Sequence, residues 1–241
     1  MKKESSLREK PERHTSRRLI DHLKLEDQKQ KVHSLVDKVY SRQNLLLAWK
    51  RVRANQGASG IDGVTIQDFE ANLEENLERL HRELRDGVYQ PLPVRRLEIP
   101  KRGAPGKTRP LGIPSICDRV CQQALVNRLE PIFEKVFDSN SFGYRKGRKT
   151  SDAMKKIWRE VEAGNEWIVD ADLKDYFGSV DHEKLMTLIG QQIADGRVLK
   201  MIRQMLEAGY EEQGKQFPTP RGTPQGGGYL TIAKQHSFNP I

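Results

Sequence analysis

Trp167-Ile-Val-Asp-Ala-Asp-Leu-Lys-Asp-Tyr-Phe-Gly-Ser-Val-Asp-His182 runs three large apolar residues straight into two aspartates and then into an aromatic pair. The apolar run predicts a buried strand. Side chains two apart on a strand share a face, so Asp170 and Asp172 would project together. Carboxylates at the end of a buried strand are costly to desolvate unless a cation offsets the cost. A divalent ion with oxygen ligands does so. The stretch therefore reads either as a Mg²⁺ site for phosphoryl chemistry or as a strand followed by a solvated acidic turn. The residues alone leave both open.

Charge favours an anionic partner. The chain carries a net charge of +9 with a pI of about 9.5, which puts nucleic acid first among partners. Residues 1–60 hold 15 Lys and Arg against 7 Asp and Glu, so the excess is concentrated in an N-terminal arm. No run of 18 apolar residues occurs, so no membrane span is expected, and the first residues lack the apolar segment of a signal peptide. Cys117 and Cys121 are one helical turn apart with no second Cys or His pair to complete a zinc site. Reduced thiols and a cytoplasmic location are the expectation.

Residues 32–53 suit helices with a break near Ser41. Gly57-Ala-Ser-Gly-Ile-Asp-Gly63 is a glycine-rich loop that reads as a structural turn rather than a phosphate cradle, because no strand precedes it and no Walker-type Lys-Ser/Thr follows. Thr65 caps a helix with the apolar stripe Ile66, Phe69, Leu73, Leu77, Leu80 and Leu84, stopped by Asp86-Gly87. Alternation around Val94, Leu97 and Ile99, followed by Arg109-Pro-Leu-Gly-Ile-Pro114, predicts a basic β-hairpin with its tip at Lys101–Lys107. Ser115 or Asp118 starts a helix to about Glu130, interrupted by Pro131. A helix from Ser151 to Val161 should bury Met154, Ile157, Trp158 and Val161. Helices near 182–194 and 196–208 follow, then the turn Gly222-Thr-Pro-Gln-Gly-Gly-Gly228.

Three motifs fall in one order: Ile99-Pro-Lys with Lys107-Thr-Arg-Pro-Leu-Gly-Ile-Pro-Ser-Ile116, Asp118-Arg119 and Gln122; Asp170-Ala-Asp-Leu-Lys-Asp-Tyr-Phe177 with Val180-Asp-His182; and Arg221-Gly-Thr-Pro-Gln-Gly-Gly227. Ser59-Gly-Ile-Asp-Gly-Val64 and Ser141-Phe-Gly-Tyr-Arg-Lys-Gly-Arg148 keep the same order. The series resembles the reverse transcriptases encoded by group II introns, the maturase-type RNA-directed DNA polymerases, from about residue 30 to Gly227.

The resemblance implies an α+β fold of the right-hand polymerase type. It divides into a basic extension at 1–55, partly disordered then helical, a fingers region at 56–165, a partial palm at 166–227 and an aberrant tail at 228–241. Nucleotide addition in such enzymes is an in-line displacement assisted by two Mg²⁺ ions about 3.5–4 Å apart. Asp172 matches the first metal ligand, with the backbone carbonyl of Leu173 beside the second metal and Asp170 as the alternative carboxylate. Lys101 and Arg109 would hold the incoming deoxynucleoside triphosphate, a guanidinium gripping phosphate in bidentate fashion, with Lys107 as the alternative to Lys101. Phe177 resembles a sugar gate against a 2′-hydroxyl, with core packing as its competing role. Gln225 would contact the nucleotide, and Gly226 would let backbone approach it. Arg145, Lys146, Arg148 and Lys149 fit RNA, while Phe142 and Tyr144 either stack on bases or pack under their loop. Implied partners are intron RNA and an RNA template with DNA primer.

The family pattern continues past Pro-Gln-Gly-Gly into an apolar helix and a Tyr-x-Asp-Asp hairpin. Here Gly228–Ile241 departs from it, and no Asp or Glu follows Glu212. The expectation is a chain truncated before the second catalytic motif, inactive or weakly active alone. A separately encoded C-terminal part would complete it. A non-catalytic intron-RNA-binding module and a decayed gene product are the competing readings.

Overall fold

The computed structural model describes residues 32–100, 103–172 and 175–223. Its helical core begins with α1 (Val36–Tyr40) and α2 (Arg42–Ala54), broken at Ser41. Asn44 fills the joint with its side-chain amide, which donates to the carbonyls of Val39 at 2.8 Å and Ala124 at 3.0 Å. The Thr65 stripe forms two helices rather than one, α3 (Ile66–Ala71) and α4 (Leu73–Asp86), because Asn72 leaves helical geometry at φ −120°, ψ 36°. Thr65 and Asp68 form a reciprocal capping box. Gly87 ends α4 at φ +74°, where a side chain would be strained. Trp49 of α2 stacks on Phe69 of α3, centroids 4.9 Å apart.

The predicted hairpin forms. Strands β1 (Val94–Pro100) and β2 (Thr108–Ile113) pair antiparallel from Arg95↔Ile113 to Pro100↔Thr108. Ser115 then caps α5 (Ile116–Phe133), accepting from the Asp118 N–H at 3.0 Å. The helix runs past Pro131, contrary to the expected break, forgoing only the one hydrogen bond that Pro131 has no N–H to give to the Asn127 carbonyl. Val120, Cys121, Ala124 and Leu125 are fully buried against the other helices.

After α6 (Thr150–Glu162) and the short α7 (Tyr176–Ser179) come α8 (His182–Gln192) and α9 (Gly196–Glu207). Leu185, Ile189, Val198, Ile202 and Leu206 join the core. Asp195 ties the two ends of the described chain together. Its carboxylate accepts from Leu35 N–H at 2.7 Å and Val36 N–H at 2.9 Å, and from Arg197 and Val198 N–H at the start of α9. Burial pushes its pKa up, but these four donors outweigh burial and hold it below the usual range.

An unforeseen second hairpin, β3 (Tyr210–Glu212) and β4 (Lys215–Phe217), turns at Gln213 and Gly214, both at positive φ. β3 lies parallel to β1, giving a four-stranded sheet in the order β2-β1-β3-β4.

Two expectations fail here. Helix α6 forms, but Met154, Ile157, Trp158 and Val161 are exposed rather than buried. Residues 165–172 form no strand, and Trp167, Ile168 and Val169 are almost fully exposed. The cause is common to both. A helix satisfies its backbone hydrogen bonds within its own segment, whereas a strand needs a partner's N–H and C=O groups, and no described strand lies beside this one.

Tyr89 and Asp118 anchor the approach to β1. The phenol donates to Asp118 Oδ1 at 2.5 Å, and Leu92 N–H donates to Oδ2 at 3.2 Å. Burial holds the Asp118 carboxyl above its usual 3.8, against the opposing pull of the Tyr89, Ser115 and Leu92 bonds. A raised folded-state pKa means the folded chain keeps this proton to higher pH than the unfolded chain does. Its contribution is therefore full below about pH 4 and is lost as pH rises through the folded value. In urea titrations an Asp118→Asn variant should gain stability relative to the unmodified chain as pH rises from about 4 to 7. A constant difference over that range would show that the buried carboxyl does not titrate there.

Candidate active site

The walls of the site come from three distant segments. β1 and β2 supply Val94, Arg96, Pro110 and Gly112, α7 supplies Phe177 and Gly178, and the stretch after β4 supplies Arg221 and Thr223. Together they border a cavity of about 270 Å³. Phe177 is half-buried on this cavity, edge-on to Tyr176 with centroids 5.6 Å apart, and stands outside the helical core.

The cations on the cavity wall are Arg96 and Arg221, which the sequence reading missed. Arg96 lies 4.9 Å from the Tyr210 ring centroid and pairs with Glu98 at 3.4 Å and Glu212 at 3.6 Å. These contacts exist because β3 lies beside β1. Gly214 between two short segments, each with one aromatic, was the only sequence signal for that hairpin. Arg109 is exposed on β2, paired with Ile99. By strand alternation it stands with Leu111 and Ile113, on the face opposite Pro110 and Gly112. Among the described residues β2 is one of the two edges of the sheet, β4 being the other. Lys107 is exposed in the tip, its N–H donating to Ala104 O at 3.1 Å. Lys101, Leu173, Gln225 and Gly226 lie outside the described residues.

Asp170 and Asp172 are both exposed in the irregular stretch before α7. Asp175 occupies the turn at φ 48°. Asp181 caps α8 as expected, accepting from Lys184 N–H at 3.0 Å, and this bond holds its carboxyl below the usual range. Among the described residues no group of three or more His, Cys, Asp or Glu is gathered to hold a metal. Carboxylate oxygens are the right donors for a hard cation, but two exposed carboxylates do not make a site for a pair of divalent ions.

The basic loop at 141–149 divides in two. Arg145 is buried, and its guanidinium binds Glu134 with Nε–Oε1 at 3.1 Å and Nη2–Oε1 at 2.5 Å. It also donates to Asp138 O at 2.6 Å and Ser141 O at 3.0 Å and lies 5.5 Å from the Phe137 centroid. This corrects the expectation that Arg145 faces RNA, since its donors are used inside the protein. Arg148 is half-buried, donates to Ser139 O and covers Phe142 at 5.4 Å. Lys146 and Lys149 are exposed.

The glycine loop is structural, as expected. A Cβ on buried Gly60 would lie 2.6 Å from Ser115 backbone, and Arg119 donates to the carbonyls of Ala58 and Pro114. Both cysteines are free, and burial pushes the Cys117 thiol up to about 12. No helix among the described residues is long and apolar enough to cross a membrane.

Residues 99–229 match the family described as Reverse transcriptase (RNA-dependent DNA polymerase). The chain is 39% identical over 181 residues to the Group II intron-encoded protein LtrA of Lactococcus lactis subsp. cremoris, covering 75% of this chain and 30% of that protein. It is 37% identical over 172 residues to Protein YkfC of Escherichia coli (strain K12), covering 70% of this chain and 45% of that one. It thus spans less than half the length of these relatives. A chain of the solved Partial Cas6-RT-Cas1–Cas2 complex shares the fold, with a TM-score of 0.54 at 19% identity over 83% of this chain and 33% of that chain.

The division within the basic loop is directly measurable. Arg145→Ala should cost about 2 kcal/mol in chemical denaturation, from lost charged hydrogen bonds. Lys146→Ala should stay within about 0.5 kcal/mol of the unmodified chain. Equal losses from the two would contradict the buried placement of Arg145.

Proposed function

The chain belongs to the reverse transcriptase family, and on that premise we propose that it supplies the template- and nucleotide-binding part of a group II intron RNA-directed DNA polymerase. The observation that carries the reading is the Phe177 cavity, closed by the basic hairpin on one side and the Arg221–Thr223 stretch on the other. In it the ring of Phe177 faces the sugar of a deoxynucleoside triphosphate, with Arg96 and Arg221 as the cations nearest the phosphates. Arg109 reaches around the β2 edge of the sheet, and Lys101 or Lys107 adds charge from the tip. Gln225 and Gly226 continue from Thr223 toward the same nucleotide. Lys146, Lys149 and the outer edge of Arg148 meet RNA, and the arm at 1–55 adds electrostatic grip on template or intron RNA. Free thiols fit a cytoplasmic setting.

Residues 56–165 act as fingers and 166–227 as part of a palm. Mg²⁺ is the ion that Asp172, the Leu173 carbonyl and Asp170 would take. The described residues do not fit a pair of such ions, so nucleotidyl transfer calls for further carboxylates, which we assign to a partner polypeptide such as a separately encoded C-terminal part. The bare apolar face of α6 and residues 167–169 is where that polypeptide docks. The scarcity of carboxylates also favours a second reading, a non-catalytic intron-RNA-binding module.

Primer extension on an RNA template with Mg²⁺ separates the two. The chain alone should not extend the primer, and addition of a C-terminal fragment of a group II intron-encoded relative should restore extension. Asp172→Ala should abolish the restored activity while leaving RNA binding unchanged. If no fragment restores extension but intron RNA is still preferred over unrelated RNA, the binding-module reading stands instead.

A further inference from the structure

We propose that a clamp between residues 177–182 and 222–223 sets the sugar selectivity of the nucleotide site, with His182 and Gly222 as its positioning residues. The proposal rests on the nucleotide-site reading above. Three hydrogen bonds form the clamp. Thr223 N–H donates to Phe177 O at 2.7 Å and Gly222 N–H to Val180 O at 2.8 Å. The imidazole of buried His182 lies with Nε2 2.7 Å from Gly222 O. A carbonyl only accepts, so Nε2 carries the proton in this contact.

The packing leaves no slack. Gly222 sits at φ +81°, and a Cβ there would lie 2.8–2.9 Å from Gly178 O, Gly178 Cα and Phe177 O. Position 222 must therefore be glycine for two separate reasons, its backbone angle and the close approach of α7. On its other side Gly178 meets only the movable carboxylate end of exposed Asp175. The turn that carries Phe177 is thus held from the Gly222 side.

The clamp also forms the cavity wall. Thr223 is buried, its Oγ1 has no hydrogen-bond partner among the described residues, and it borders the same cavity as Phe177. The backbone bond that places the gate ring therefore also places a residue of the cavity wall. A 2′-hydroxyl differs from hydrogen by one heavy atom, so a ring discriminates between them only if its position is held within a fraction of an ångström. Displacements of about 1 Å at such sites cost up to about a hundredfold.

Competition binding of dCTP and CTP to the 241-residue chain with Mg²⁺ tests this without requiring turnover. The unmodified chain should prefer dCTP. Gly222→Ala and His182→Ala should each lower that preference about tenfold, and His182→Gln, which keeps a side-chain N–H donor, should restore most of it. Gly63→Ala is the control, because Gly63 has φ +71° with nothing within 4 Å of a Cβ. It imposes comparable backbone strain away from the clamp and should leave the preference unchanged. If Gly222→Ala and His182→Ala weaken both nucleotides equally, the clamp is only structural and the proposal fails. If the unmodified chain binds neither nucleotide, the nucleotide-site reading fails and the clamp's role with it.

Discussion

The parallel pairing of Val94–Arg95 with Tyr210–Glu211 is the joint on which the site depends. It lays a hairpin from the first half of the chain beside one from the second half. Without it the Phe177 cavity would have no β1 and β2 wall, and Arg96 would have neither Tyr210 nor Glu212. A parallel ladder of two residue pairs is weak by itself. It is held from both ends. Upstream, Tyr89 and Leu92 fix the entry to β1 on Asp118. Downstream, Thr219 closes the base of the second hairpin, accepting from Gly209 N–H at 3.1 Å and donating to Leu206 O at 2.9 Å. Helix packing therefore sets sheet register, and sheet register sets the cavity.

Local signals in the sequence were read well where local physics decides the outcome. The Thr65 capping box, the Asp86-Gly87 stop, the Ser115 cap and the basic hairpin depend on residues within a few positions of one another. Asn72 was missed because its departure from helix interrupts a stripe that keeps its apolar period on both sides. The β3–β4 hairpin was missed because three-residue strands give too little alternation to notice. Pro131 was given too much weight, since buried Leu129 and Phe133 on either side hold the helix in spite of the missing hydrogen bond.

The site was legible in its residue types and much less so in its geometry. Phe177 does stand on the cavity, but strand alternation turns Arg109 to the other face and brings Arg96 forward instead. Arg145 has the same charge as Lys146, and only burial against Glu134 and Phe137 separates a structural cation from a surface one. That distinction comes from tertiary contacts at separations of eight to eleven positions, which charge counting does not detect. His182 and Gly222 were read as parts of motifs with no individual role, because their contact spans forty positions.

The exposed apolar face and the ungathered carboxylates have one physical origin. Asp170 and Asp172 can converge on a cation only if the backbone before them is held as a strand, and that backbone is Trp167–Val169. A polypeptide that pairs with this segment would fix the carboxylates and bury its three apolar side chains together with those of Met154, Ile157, Trp158 and Val161. Burial of a large apolar side chain contributes about 1.5–3 kcal/mol, so seven offer on the order of 10–20 kcal/mol. Losing translational and rotational freedom costs about 4–15 kcal/mol. The two terms are of similar size before the cost of ordering residues 165–172 is counted, so docking would depend on the partner's backbone pairing as well as on apolar burial, and metal affinity would follow from docking. Bringing carboxylates together without a cation would oppose assembly through their repulsion, so strand pairing and ion binding should each strengthen the other.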